Sequence, residues 1–221
     1  PYDLYWFDKT EGMLFGFGAV EDSSGSVTVS NVTYHMAVSS PYSDTTKTTT
    51  DPTGKTYVIG VNTTKTSAVS TAVSNAQKIV TDNSSKRDYE KLEAYRKEIC
   101  RLVAYNHAAA GGSYPGGYGD PWQLINVFDH ADDNGKQVVC EGYAKAFKYL
   151  CDLSTFGDTN LSCYLVTGTM SGGTGEGGTG AGNHMWNVVH IGGKNYLVDV
   201  TNCDTGTIGA TDKLFLCGVT E

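Results

Sequence analysis

A Gly192-Gly193 pair between two short strand-like stretches limits most strongly how this chain of 221 residues can fold. Residues 184–191 and 194–200 are rich in β-branched, aromatic and apolar residues, and a Gly-Gly pair between such stretches is typical of a tight β-hairpin. A two-residue turn places Ile191 opposite Lys194 and fixes every other pair along the hairpin. The sequence therefore predicts an antiparallel hairpin near the C-terminal end.

This hairpin brings two chemically useful side chains to one face. A two-residue turn places Trp186 opposite Asp199 and His184 opposite Thr201, and side chains alternate along strands, so all four share a face. His184 and Asp199 are then diagonal neighbours with Cβ atoms about 7–8 Å apart, which suits an imidazole donating to a carboxylate. A four-residue loop keeps His184 and Asp199 on one face but lengthens the diagonal between them. A three-residue loop with a bulge does not guarantee a shared face.

Cys140 stands at the start of a predicted helix over residues 141–150. Backbone N–H groups at a helix start favour an anion, and the thiolate is the reactive form of cysteine. For a cysteine of unknown context, a buried structural role is the more common one. The other five cysteines are expected to be mostly buried apolar residues, with Cys203–Cys217 as a candidate disulfide.

Three segments together carry a resemblance to a known family. The stretch 139–147 (VCEGYAKAF), the stretch 184–187 (HMWN) and the stretch 198–201 (VDVT) resemble, in this order, the nucleophile, His and Asp segments of the transglutaminase-like superfamily. Within that superfamily, the chain resembles bacterial proteins with a transglutaminase-core domain. Three motifs in one order are far more specific than any one of them.

The resemblance implies an α+β fold of the papain-like kind, in which the nucleophile helix packs on an antiparallel β-sheet. It implies Cys140 as nucleophile, His184 as general base and acid, and Asp199 as the residue that orients His184. It implies no cofactor and no metal. Eukaryotic transglutaminases carry an upstream Trp as oxyanion partner. Gln123 and Trp122 are the nearby candidates for that place, Trp186 is a further substrate-site candidate, and otherwise the backbone N–H of Cys140 is the main donor.

The rest of the chain predicts a strand-rich N-terminal extension over residues 1–66 and a catalytic core over residues 67–221. Apolar and alternating stretches indicate strands before residue 39 and at 57–61, and residues 39–54 read as a loop. Helical spacing predicts helices over 67–81, from a Ser85 cap to about Asn106, and over 122–128. The strand predicted at 161–167 is followed by a Gly-rich loop over 168–183.

Composition narrows the class of protein. The chain has 16 basic and 24 acidic residues, a net charge of −8, with no basic cluster, which argues against a nucleic-acid partner. No apolar run is long enough to span a membrane. No signal-peptide pattern is present, and the chain begins at Pro1, which indicates a trimmed or processed chain. The Gly, Ser and Thr content favours an extracellular or cell-surface protein.

The sequence therefore predicts a thiol enzyme that acts on amide bonds of proteins or peptides through a Cys thioester. Either an amine or water completes the reaction, as in transglutaminases or in cysteine peptidases and deamidases. The alternative is a non-catalytic cell-surface binding or adhesion module that retains the fold. The Ser/Thr-rich, strand-rich N-terminal part favours that alternative, and the joint presence of Cys140, His184 and Asp199 argues against it.

Overall fold

A computed structural model describes residues 15–19, 34–38, 43–50, 54, 56–61, 63–110, 117–120, 122–170, 182–204 and 213–218. The chain divides into two compact units, residues 1–70 and 71–221. Among the described residues, no helix is long and apolar enough to cross a membrane.

The first unit holds two antiparallel strand pairs. Strand β1 (Phe15–Ala19) pairs with β2 (Tyr34–Val38), and β3 (Ser43–Thr50) pairs with β4 (Thr56–Val61). The prediction of a loop over residues 39–54 is wrong for β3. Its threonines are β-branched and suit an extended backbone, although their polarity resembles that of a loop.

Two long helices follow the strand pairs in the sequence. Helix α1 (Thr63–Asp82) starts earlier than the predicted residue 67, and α2 spans Asp88–Leu102. The predicted Ser85 cap is wrong, because Arg87 is the N-cap and its backbone N–H donates to Glu90 at 3.0 Å. Helix α2 also ends before the predicted Asn106.

The chain leaves α2 early because its next residues join a parallel strand pair. Strand β5 (Val103–Tyr105) lies beside β6 (Lys136–Val138), with Tyr105 opposite Val138. The backbone N–H of Asn106 then donates to the carbonyl of Val138 at 2.9 Å. This pairing places the end of β5 next to the segment that leads into Cys140.

The second unit is α+β, with a four-stranded antiparallel sheet in the order β10-β9-β8-β7. Its strands are β7 (Ser162–Met170), β8 (Gly182–Ile191), β9 (Lys194–Val198) and β10 (Phe215–Cys217). The predicted Gly-rich loop over 168–183 is wrong at both ends, because these strands extend into it. Residues 171–181 lie outside the described residues.

The hairpin register is confirmed. Ile191 pairs with Lys194 and Asn187 with Val198, as a two-residue turn requires. Gly192 and Gly193 have φ values of 59° and 75°, which fit the type of turn that needs positive φ at both central positions. The backbone N–H of Gly192 also donates to the Asp158 carboxylate at 2.8 Å, which fixes the turn.

The last two predicted pairs of the hairpin are not formed. Strand β9 ends at Val198 rather than residue 200, and a short helix, α5 (Val200–Cys203), follows. Asp199 is the N-cap of α5 and accepts the backbone N–H of Asn202 at 3.2 Å. Asp199 therefore does not lie opposite Trp186 in a strand, because capping α5 turns the chain out of the sheet.

Helix α4 (Cys140–Asp152) packs on β7 and β8, and the short helix α3 (Gln123–Phe128) packs on α4. Helix α4 is buried along nearly its whole length, so it is the central element of this unit. Its fully buried side chains form the core together with those of α2 and α3: Leu92, Tyr95, Ile99, Leu124, Ile125, Phe128, Tyr143, Phe147 and Leu150.

Candidate active site

Cys140 is the first residue of α4, directly after the N-cap Val139. It is 3% exposed and lies against β8, where its Sγ is 4.0 Å from the carbonyl oxygen of Asn183. Cys140 is thus in the first turn of α4, where the backbone N–H groups have no partner within the helix. The sequence-predicted thiol is thus at the start of a helix.

His184 and Asp199 lie in direct contact. The Nε2 of His184 is 2.8 Å from the Oδ2 of Asp199, and the two residues are 8% and 4% exposed. A charged, buried pair at this distance is held by a hydrogen bond as well as by charge attraction. The carboxylate therefore fixes the orientation of the imidazole ring.

The other side of His184 is in contact with Cys140. Burial lowers the pKa of His184, but hydrogen bonds with Asp199 and Cys140 and the charges of both outweigh it, and the pKa rises to about 9. At neutral pH the ring is therefore protonated, and its positive charge lies next to Cys140. The structure brings Cys140, His184 and Asp199 together in the order in which a thiol triad uses them.

The carboxylate of Asp199 has a second hydrogen-bond partner besides His184. Its Oδ2 accepts the Nδ2–H of Asn202 at 2.6 Å, in addition to the hydrogen bond from His184. One turn further on, the hydroxyl of Tyr143 donates to the Oδ2 of Asp204 at 2.5 Å, which joins α4 to the end of α5. Asp199 is thus held by His184 and Asn202, and the neighbouring end of α5 is held to α4 through Asp204.

Trp186 covers His184. Their rings are stacked, with centroids 5.7 Å apart and planes at 22°. Gly168 pairs with His184 on the neighbouring strand, and a Cβ there would lie 2.8 Å from Cη2 of Trp186. The absence of a side chain at position 168 therefore leaves the space that the indole occupies. Trp186 is in the position of a residue that limits rotation and hydration of the imidazole.

Gln123 contacts the residue that precedes α4. It is buried, its Oε1 accepts the backbone N–H of Val139 at 2.9 Å, and its Nε2 donates to the carbonyl of Gly117 at 3.4 Å. These contacts make it a support for the segment that ends in Cys140. The other upstream candidate, Trp122, is buried, and its backbone N–H donates to Asp120 at 2.9 Å, which shapes the turn into α3.

Sequence reasoning missed Tyr105, which lies at this site. Strand pairing sets it opposite Val138, and its ring stacks on Tyr143, one turn after Cys140, with centroids 6.4 Å apart and planes at 29°. Burial, and then the charges of Cys140 and Asp199, raise the pKa of Tyr105 to about 12. The phenol therefore remains a hydrogen-bond donor close to both catalytic candidates. Only the parallel β5–β6 pairing, which has no sequence signal of its own, reveals this.

A second tyrosine, Tyr118, also lies near the thiol. It packs against the apolar cluster formed by Cys140, Ala144 and Met185. Burial, and then the charges of Glu141 and Cys140, raise the pKa of Tyr118. Two tyrosines, Tyr105 and Tyr118, are thus neighbours of Cys140.

All six cysteines are free, including Cys203 and Cys217, so the candidate disulfide between these two is not formed in this structure. Among the described residues, no cluster of three or more His, Cys, Asp or Glu side chains is arranged to hold a metal ion.

Comparison of the chain with protein families finds no family that matches it, and comparison with curated proteins finds no match either.

Proposed function

We propose that this protein is a thiol-dependent enzyme of the transglutaminase-like type, with a papain-like core, that acts on amide bonds of proteins or peptides. The observation that carries the proposal is the chain of contacts from Cys140 through His184 to Asp199 at the start of a buried helix. The resemblance of the segments 139–147, 184–187 and 198–201 to that superfamily supports the same chemistry. An extracellular or cell-surface setting is part of the proposal.

The reaction has two steps. The Cys140 thiolate attacks the carbonyl carbon of the amide, a C–S bond forms, and collapse of the tetrahedral intermediate breaks the C–N bond while protonated His184 gives its proton to the departing amine. Water or a second amine then attacks the thioester, His184 takes a proton from it, and the C–S bond breaks. Asp199 keeps the imidazole aligned and balances its charge in both steps.

The tetrahedral intermediate carries a negative oxygen, which needs hydrogen-bond donors. We assign that role to the hydroxyl of Tyr105 together with the backbone N–H of Cys140. The stacking of Tyr105 on Tyr143 and its pairing beside Val138 support this assignment, because they hold the phenol near the sulfur. Gln123 is a weaker candidate, since the described contacts of its amide are with backbone groups of Val139 and Gly117.

Alkylation with iodoacetamide near neutral pH, followed by peptide mapping, tests the nucleophile. We expect Cys140 to react faster than Cys217, which is less buried and whose described contacts are with the backbone carbonyls of Lys213 and Phe215. The matched variant His184→Ala removes that advantage. If Cys140 is no more reactive than Cys217, and Cys140→Ala retains all amide turnover, the proposal is wrong and a non-catalytic binding module is favoured.

Incubation with a glutamine-containing peptide and a labelled primary amine separates the two ways of completing the reaction. Covalent incorporation of the amine shows transfer. Release of ammonia or cleavage of the peptide without incorporation shows hydrolysis. Cys140→Ala serves as the blank in both measurements.

A further inference from the structure

Cys140 lies at the edge of a small apolar cluster. Cys140, Ala144 and Met185 are buried together, and the half-buried side chains of Tyr118 and Leu165 pack against them. Cys140 and Ala144 are one helical turn apart, so they share one side of α4. The exposed parts of Tyr118 and Leu165 therefore form an apolar wall directly beside the thiol.

The strand register places Leu165 on the same side of the sheet as the helix. Leu165 pairs with Asn187, and the side chain of Asn187 donates to the backbone carbonyl of Ala144 in α4. Its neighbour Tyr164 consequently projects from the opposite side, where it is 55% exposed. Leu165 is only partly covered by α4, although it lies on the face that α4 packs against.

The charged residue of α4 next to Cys140 is paired. The carboxylate of Glu141, next to the nucleophile, is buried and pairs with Lys145. The same carboxylate accepts the backbone N–H of Gly119, which ties the loop carrying Tyr118 to the first turn of α4. The wall is therefore both apolar and held in place before any ligand arrives.

We infer that Tyr118, Leu165 and Met185 form the subsite for the acyl donor, and that it selects an amide whose acyl side carries an apolar aliphatic or aromatic side chain. This inference rests on the proposed function, since it needs Cys140 as the nucleophile. A charged side chain in this place loses its hydration without gaining a partner, whereas an apolar one gains from leaving water. The subsite thus discriminates by the penalty on charged donors as much as by attraction.

Two thiol-directed dipeptide probes test the inference: the chloromethyl ketones of N-acetyl-Leu-Leu and N-acetyl-Lys-Lys. The Cys140 thiolate displaces chloride from either probe, and intact mass with peptide mapping gives the second-order rate. We expect the Leu-Leu probe to react at least about tenfold faster than the Lys-Lys probe. The variant Leu165→Glu slows the first reaction and accelerates the second.

The matched control is Tyr164→Glu, which places the same charge one residue away on the opposite side of β7. It leaves both probe rates unchanged. Leu165→Ala is a second variant, which slows the Leu-Leu probe without accelerating the Lys-Lys probe. Circular dichroism and the iodoacetamide rate, which depends on no side-chain subsite, verify that each variant is folded with an intact thiol.

Equal rates for the two probes on the unaltered protein, or equal effects of Leu165→Glu and Tyr164→Glu, overturn the subsite. If iodoacetamide still selects Cys140 in that case, the nucleophile stands and only the apolar selection is wrong. If iodoacetamide does not select Cys140, the proposed function fails, and the subsite fails with it.

Discussion

The side-chain amide of Asn187 donates to the backbone carbonyl of Ala144 at 3.0 Å, so the strand that carries His184 is bonded to the helix that carries Cys140. Asn187 is fully buried, and its amide also lies 3.4 Å from the carbonyl of Tyr164. One side chain thus sets the spacing between the two elements on which the proposed thiol–imidazole pair depends.

We expect Asn187→Leu to lower the free energy of unfolding by about 1–3 kcal/mol, because a buried hydrogen bond is lost and its acceptors remain. We also expect a slower reaction of Cys140 with iodoacetamide, measured under conditions in which the variant is folded. Asn195→Leu is the control, since Asn195 is exposed at the other end of the hairpin. A Cys140 rate that is the same in both variants contradicts the positioning role.

Asp199 has a structural and a chemical task that two substitutions separate. Asp199→Asn keeps a side-chain acceptor for the cap of α5, whereas Asp199→Ala removes it and costs about 0.5–2 kcal/mol of stability. Both lose the negative charge beside His184, and we expect both to lower amide turnover at least ~100-fold. Denaturant unfolding and turnover are measured on the same samples. Comparable turnover in Asp199→Asn and the unaltered protein would exclude Asp199 from the mechanism.

The pH dependence follows from the pKa of His184, which is about 9 in the folded protein against an ordinary value of 6.5. The folded state retains a proton in this range that the unfolded chain releases. The stabilisation by His184 is therefore complete below about pH 6.5 and is lost as the pH rises through about 9. We expect the free energy of unfolding to fall over this interval, and to fall less in His184→Gln.

Turnover should follow the same titration. The thiolate–imidazolium pair loses its proton as the pH rises through about 9, so the alkaline limb of a bell-shaped rate profile lies there. A rate that stays flat between pH 5 and pH 10 argues against His184 as the acid of the first step.

Gly168 tests the role of Trp186 without altering the indole itself. In Gly168→Ala the new Cβ lies 2.8 Å from Cη2 of Trp186, so the indole must shift and its stacking on His184 changes. We expect lower turnover and a lower apparent pKa for His184, read from the rate profile. Gly182→Ala is the matched control, because a Cβ at that strand position meets nothing within 4 Å. Equal effects of the two alanine substitutions would show that the position of Trp186 does not affect His184.

Tyr105→Phe separates oxyanion binding from thiol reactivity. The phenyl ring retains the stacking on Tyr143 but lacks the hydroxyl, so we expect kcat on an amide to fall about 10²–10³-fold. Alkylation of Cys140 by iodoacetamide develops no oxyanion and should proceed at the original rate. Gln123→Glu is the comparison. If Gln123 rather than Tyr105 binds the oxyanion, Gln123→Glu should lower kcat more than Tyr105→Phe does.

The sequence predicts the hairpin well because its turn and alternation are local. Gly192 and Gly193 fix the register, and the register brings the backbone of the His184 strand next to that of Asp199. The end of β9 was not predictable in this way, since Asp199 reads equally well as a strand residue and as a helix cap. The contact of His184 with Asp199 is formed despite that difference, because the cap turns the carboxylate toward the imidazole.

The parts that the sequence could not predict depend on contacts between distant segments. Tyr105 reaches the site through a three-residue parallel pairing with β6, which is too short to leave a periodic pattern. The backbone N–H of Gly119, the neighbour of Tyr118, donates to the carboxylate of Glu141, which lies far along the sequence. The packing of α4 on β7 and β8 was inferred from a resemblance, and no local feature of α4 identifies the strands that it covers.

The double engagement of Asp199 has a consequence for how activity would be lost over evolutionary time. Asp199 caps α5 and binds Asn202 and His184, so selection for a folded protein alone retains it. Cys140 caps no helix, and its described polar contacts are with His184 and with the carbonyl oxygen of Asn183. Among descendants of such a protein, a retained aspartate with a replaced cysteine would mark a chain that keeps the fold and has lost the proposed activity. The cysteine, and not the aspartate, is therefore the position that would indicate activity.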